Sequence, residues 1–483
     1  MKAKKVMALI MAAAMALPVA ACGGTEKSET EATEKSEAEN KSTEKTDNKD
    51  KDTEETKETG ADKEENKKDV EIPEFETTAT IEETVLVDQD GVKITATDIE
   101  YTGYSAELNL LIENNSDKNL KFVSGSMGYS VNEVNGYMIQ DGYLNESVEA
   151  GKKCNASVSF STDELLAYGI TEIADIQIGF DIADDDYNHT YSGPRQVKSS
   201  VADGYDYSVD TYWDGVKNGT LSALGNASAD YVSDDELYSQ NGVRIVSEAL
   251  FTNQDGEQSL FVEVVNDSET SLRGIISDIS INDEMISYGS FADSTINPGA
   301  RCVITLNLSS AMDKACFDLL KISDIGNISF EFSQKDEMYN DISEPETILV
   351  KVSDKSGTPD TSGDEVYNEG GIKIISKGAV KDYDEESDDV HLVFLVENDT
   401  SGDIVIDDSD DSLSLNGYMI DYYAQMISAY AGKWAVIDIE VDGSDLEESS
   451  ISGVDGITSA EITFEIEDAD GNDIAAPGIS VTY

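Results

Sequence analysis

Along residues 106–113 apolar and polar side chains alternate, with Ala106, Leu108, Leu110 and Ile112 on one face and Glu107, Asn109 and Glu113 on the other. Period two with one wet face predicts a strand of an antiparallel sheet covering a core. The same inward face returns as Leu260, Val262 and Val264, and again as Leu392, Phe394 and Val396. Each strand runs into Asn, then Asn or Asp, then Ser or Thr, at Asn114, Asn266 and Asn398. An Asn that hydrogen-bonds its own backbone starts such a turn, and that role is predicted for all three over a ligand contact.

The surrounding text repeats with these strands. Upstream lies a hairpin signal followed by a strand, DGVKIT at Asp90, NGVRIV at Asn241 and GGIKII at Gly370. Downstream come VNGYMI at Val134, INDEMI at Ile281 and LNGYMI at Leu415, then a turn entering a strand at Ala150, Pro298 and Ala431. A helical capping signal follows at Ser161, and Pro194, Pro345 and Pro477 each introduce a final strand. Four landmarks in one order, three times over, make a repeat of roughly 130 to 150 residues, the size of a domain. About seven strands per repeat fit an immunoglobulin-like sandwich. The fold class is therefore all-β, with three tandem immunoglobulin-like antiparallel β-sandwich domains after a signal peptide and a disordered tether.

The start of the chain carries Lys2, Lys4 and Lys5, an apolar run over residues 6–16, and Val19-Ala20-Ala21-Cys22. That is the pattern of a secretory signal peptide, and its end resembles the lipobox of bacterial lipoproteins, in which the Cys is lipidated. More than one acyl chain on Cys22 implies a stable anchor at the outer face of a membrane. Residues 23–69 contain no Leu, Ile, Val, Met or aromatic residue. Such a segment has nothing to bury, so it is expected to be disordered, with a root-mean-square span of roughly 35 to 40 Å. The expected boundaries are a signal peptide at 1–21, a lipidated Cys22 with its charged linker at 22–72, repeat one at 73–200, an aromatic-containing linker at 201–232, repeat two at 233–352, a flexible linker at 353–364 and repeat three at 365–483.

Charge narrows the partners. With 100 Asp+Glu against 33 Lys+Arg the formal charge is -67, which excludes nucleic acid and favours cationic partners and loosely held divalent cations. The four cysteines are Cys22, Cys154, Cys302 and Cys316. Strand alternation turns Cys154 and Cys302 toward the cores of separate domains, and a Cys302–Cys316 bridge is left open.

The lipobox, the charged tether and the IENNS, VNGYMI and AGKK motifs together resemble the immunoglobulin-like domains of unknown function in Firmicutes surface lipoproteins of the Clostridia type. The resemblance implies a fold and a location, and it brings no catalytic residues. The expected function is non-catalytic binding, adhesion or spacing, on an envelope or extracellular protein or polysaccharide. An accessory solute- or glycan-binding lipoprotein is the alternative class, and an enzyme a remote one.

Three groups of residues are candidates for contact chemistry. Tyr205, Tyr207, Tyr212 and Trp213 cluster in the first linker, where they are read as packing that linker against the neighbouring domains, with ligand contact as the alternative. Asp468, Asp470 and Asp473 surround Gly471, with Asp184, Asp185 and Asp186 in the matching loop of repeat one. They are read as a hairpin turn with weak calcium binding as the alternative; no other cofactor is expected. His189 and His391, the only histidines, have no counterparts in the other repeats and are read as exposed loop and strand residues.

Overall fold

The computed structural model describes residues 70–483 apart from 126–131, 288, 323, 337, 355–358, 385 and 386. The expected signal peptide, Cys22 and nearly all of the tether lie outside the described residues.

Repeat one folds as β1 (Thr84–Gln89), β2 (Val92–Tyr101), β3 (Ser105–Asn114), β4 (Leu120–Ser124), β5 (Asn132–Val134), β6 (Tyr137–Ile139), β7 (Leu144–Val148), β8 (Lys152–Ser161), β9 (Asp175–Asp184) and β10 (His189–Lys198). One sheet has the order β1-β2-β3-β8, while β7-β4-β9 with β10 beside β9 forms the facing sheet. Read from β2, this is the split of strands between two sheets seen in immunoglobulin-like sandwiches. Repeat two follows with β11 (Ser228–Ser233), β12 (Tyr238–Gln240), β13 (Val243–Thr252), β14 (Gln258–Asn266), β15 (Leu272–Ile281), β16 (Glu284–Met285), β17 (Ser290–Ile296), β18 (Arg301–Asn307), β19 (Asn327–Lys335) and β20 (Glu346–Lys351). Repeat three begins with β21 (Asp364–Glu369), β22 (Ile372–Lys381), β23 (Val390–Asn398), β24 (Ile404–Asp408), β25 (Ser414–Leu415), β26 (Tyr418–Met419), β27 (Tyr423–Ala424) and β28 (Ile427–Ala429). It closes with β29 (Trp434–Val441), β30 (Ser459–Asp468), β31 (Asp473–Ala475) and β32 (Gly478–Thr482).

Two turns recur in every repeat because both central residues take positive φ. Asp90-Gly91, Asn241-Gly242 and Gly370-Gly371 make the first, with Gly91 at φ 81°. Asn135-Gly136, Asn282-Asp283 and Asn416-Gly417 make the second. Such pairs twist as the flanking strands do, which is why Asn-Gly and Asp-Gly hairpins are favoured.

The turn asparagines do what their sequence implies, and more. Asn398 Oδ1 accepts from the Thr400 N–H at 3.0 Å, while its Nδ2 donates to the Gly402 carbonyl at 2.9 Å and the Ala429 carbonyl at 2.7 Å. Asn114 and Asn266 repeat this arrangement, and all three are fully buried. Each amide thereby ties the end of one strand to another strand across the sandwich.

The repeats are welded in series by strand addition. The short β6 of repeat one pairs in parallel with β18 of repeat two, Tyr137 against Arg301, and the Arg301 N–H donates to the Gly136 carbonyl at 2.8 Å. At the next junction β16 pairs in parallel with β29, Glu284 against Trp434 and Met285 against Ala435. Met138 is thus buried in the core of repeat two and Met285 in the core of repeat three. Lys433 reaches back to Asp283 at 2.7 Å across the second junction.

The first sheets of repeats two and three are buried on both faces. Phe251, Phe261 and Val303 pack with Tyr212, Trp213, Val216, Leu221 and Leu224. Val393, Leu395 and Val436 pack in turn against Phe317 and Leu320. Residues 201–232, read as an aromatic-containing linker, thus pack against both neighbouring repeats. Helices Thr211–Asn218 and Thr220–Gly225, followed by β11, fill that segment and cover the back of the repeat-two sheet.

Candidate functional site

A compact group of reactive side chains sits where repeat two meets repeat three. Helix Lys314–Leu320 of repeat two carries Cys316, and Asp313 caps it by accepting from the Ala315 N–H at 2.7 Å. Repeat three supplies His391 from β23, Asp438 from the neighbouring β29, and Asp382 just beyond β22. His391 and Asp438 lie on adjacent antiparallel strands, where Val390 faces Val441 and His391 faces Glu440.

Asp438 holds two partners at once. One carboxylate oxygen lies 2.9 Å from His391 Nδ1, and the other accepts from the Cys316 thiol at 3.5 Å. On the far side of the ring, Nε2 lies 3.5 Å from Asp382 and makes no hydrogen bond, although His391 is only 3 % exposed. Burial works against charge on this imidazole. The hydrogen bond to Asp438 and the negative field of Asp438 and Asp313 outweigh it, lifting the pKa to about 9. Burial, reinforced by Asp438 and Asp313, pushes the Cys316 thiol far above its ordinary range.

Two sets of three potential ligands share this histidine, Cys316–His391–Asp438 and Asp313–Asp382–His391, each with its donor atoms within 4.8 Å of one another. Thiol, imidazole and carboxylate are the donors a zinc-like cation takes. The reading of His391 as an exposed strand residue is therefore corrected. Of the carboxylates around it, Asp313 and Asp438 come from elements remote in sequence, and Asp382 from the hairpin that leads into its own strand. His189 is partly exposed, as expected, with Nδ1 2.9 Å from Asp181.

The candidates named from sequence fall elsewhere. Tyr212 and Trp213 are buried between repeat one and the back of the repeat-two sheet, the packing read from the sequence, which closes them to a ligand. Tyr207 is exposed and stands edge-on to the half-buried Tyr205, with ring centroids 4.9 Å apart. Asp468 spends its oxygens on its own turn, accepting from the N–H groups of Asp470 at 3.0 Å and Asn472 at 2.9 Å and from Asn472 Nδ2. Asp470 and Asp473 flank it in the same exposed hairpin. Asp184 with Asn188, and Asp336 with Asn340, repeat that geometry, so the Asp-x-x-x-Asn spacing is a turn device in all three repeats. The thiols of Cys154, Cys302 and Cys316 are free, which settles the open pairing of Cys302 with Cys316. A cleft of about 320 Å³ opens at one end of repeat one, lined in part by Asp90, Asp117 and Leu120 and by the ion pair of Lys118 with Asp184.

No known protein family matches this chain, and no curated relative does. Among solved structures, a 1.5-MDa bacterial ice-binding adhesin is 12% identical, with 79% of this chain and 90% of that one covered, at a TM-score of 0.13. A protein of unknown function from Porphyromonas gingivalis W83 is 10% identical over 47% of this chain and 91% of its own, at 0.14. The exo-chitosanase CsxA of Amycolatopsis orientalis is 6% identical over 84% of this chain and 78% of its own, at 0.17. At such TM-scores these likenesses carry no argument about fold or function.

Proposed function

We propose that this chain is an exported lipoprotein, held at the outer face of a bacterial membrane through Cys22, that works without catalysis by binding an envelope or extracellular partner or by holding one at a distance. The observation that carries the reading is the pair of strand-addition junctions, which join three sandwiches through shared sheets and buried methionines. Welding of this kind suits a module that transmits position and presents surfaces. The lipobox and the charged tether supply the anchor and the reach. The negative surface favours a cationic protein or a neutral polysaccharide over nucleic acid.

The test is affinity capture from envelope extract and culture medium on the immobilised chain of residues 70–483, with and without millimolar calcium. A protein or polysaccharide retained in stoichiometric amount supports the binding role. A small-molecule turnover activity that co-purifies with the chain and is lost on a single substitution contradicts it.

A further inference from the structure

We infer that Cys316, His391 and Asp438 form a binding site for one thiophilic divalent cation of the zinc type, closed between repeats two and three. Three observations carry this independently of the proposed function. The first is the donor set, in which one sulfur, one ring nitrogen and one carboxylate from two repeats converge within 4.8 Å. Hard cations such as calcium take oxygen ligands, so a thiol and an imidazole at the centre select against them.

The second is charge. Asp313, Asp382 and Asp438 surround a single imidazole, and among the described residues no lysine or arginine pairs with any of the three. Even with the ring protonated, three carboxylates leave an excess of negative charge around a ring that is 3% exposed. A divalent cation compensates it.

The third is the idle nitrogen. With the cation on Nδ1, the Nε2–H of His391 faces Asp382, an outer carboxylate of the kind that orients histidine ligands in metal sites. That nitrogen is buried, 3.5 Å from Asp382 and without a hydrogen bond. Asp438 accepts from the Cys316 thiol and lies against the ring nitrogen, so the cation takes the place of the thiol proton: Zn²⁺ binds the thiolate, and one proton leaves Cys316 for solvent. Asp438 and Asp382 keep about a fifth of their side-chain surface exposed, at 23% and 19%, which gives the cation a way in.

The chain from residue 23 onward, which lacks Cys22, is titrated with cobalt(II) as a spectroscopic probe and then with zinc. The expected result is one equivalent of tetrahedral cobalt with a thiolate charge-transfer band, displaced by zinc and untouched by millimolar calcium. Cys316→Ser and His391→Gln abolish the band, with retained far-ultraviolet circular dichroism showing that they fold. Asp382→Asn, a positioning residue, lowers affinity by about 10- to 100-fold while keeping the band. Zinc binding in weakly buffered solution releases the thiol proton. Absence of a thiolate band, or a band that survives Cys316→Ser but not Cys154→Ser, overturns the assignment and leaves the cluster as an ion-paired staple between repeats.

Discussion

The sulfur of Met285 accepts a hydrogen bond from the backbone N–H of Tyr430 at 3.4 Å, deep in the core of the repeat that follows it. Met138 does the same with the N–H of Asn297 at 3.5 Å one junction earlier. Asn297 and Tyr430 each precede the Gly turn that leads into the receiving strand, so the two junctions are one device used twice. The third copy of the hairpin, at Tyr418 and Met419, is exposed, Met419 at 64%.

This difference predicts unequal costs for one substitution. Met138→Ala and Met285→Ala each remove a buried side chain and should destabilise by about 2 to 5 kcal/mol. Met419→Ala should stay within about 0.5 kcal/mol of the parent. Urea unfolding of the three variants checks this, and equal costs would show that the junctions do not bear on stability.

Asn398 has no substitute that meets both of its tasks. Asn398→Ala strands the Gly402 and Ala429 carbonyls and the Thr400 N–H in a buried place, at a cost of about 1 to 3 kcal/mol. Asn398→Asp keeps the acceptor but sets a carboxylate against two carbonyl oxygens, so it should cost at least as much at neutral pH. Thermal melts of repeat three against the parent decide the point.

Glu248 on β13 sets a pH dependence. Burial first, then the negative charges of Asp235 and Asp234, raise its carboxyl to about 8, and neither of its oxygens finds a hydrogen-bond partner. Because the folded pKa lies above the unfolded one, this group favours the fold fully below about pH 4.3. That contribution is lost as pH rises through about 8. Glu248→Gln should flatten the decline in urea midpoint between those limits. An unchanged slope would place the carboxylate in contact with water.

The inward faces were legible because period two shows wherever one side of a strand is wet. β3 alternates buried and half-buried residues along its whole length, whereas β14 is buried at nearly every position. That contrast is written in Glu107 and Asn109 against Phe261 and Val265, and it reports that a sheet is covered from behind. What a linear pattern does not carry is which residues cover it. Lys433 and Asp283 are 150 positions apart, and Cys316 and Asp438 are 122 apart. No local period connects them. That Tyr212 and Trp213 pack between the neighbouring repeats was legible from their aromatic character, but the two short helices that carry them, with few apolar residues, were not.

Export of the chain and its lipid anchoring through Cys22, as proposed, are tested by fractionating cells that express the parent and its Cys22→Ser variant. The parent should sediment with membranes, need detergent for release, and be cut by protease added to intact cells. The variant should lose membrane attachment. A Cys22→Ser chain that stays with the membrane, or a parent shielded from external protease, would contradict the claim.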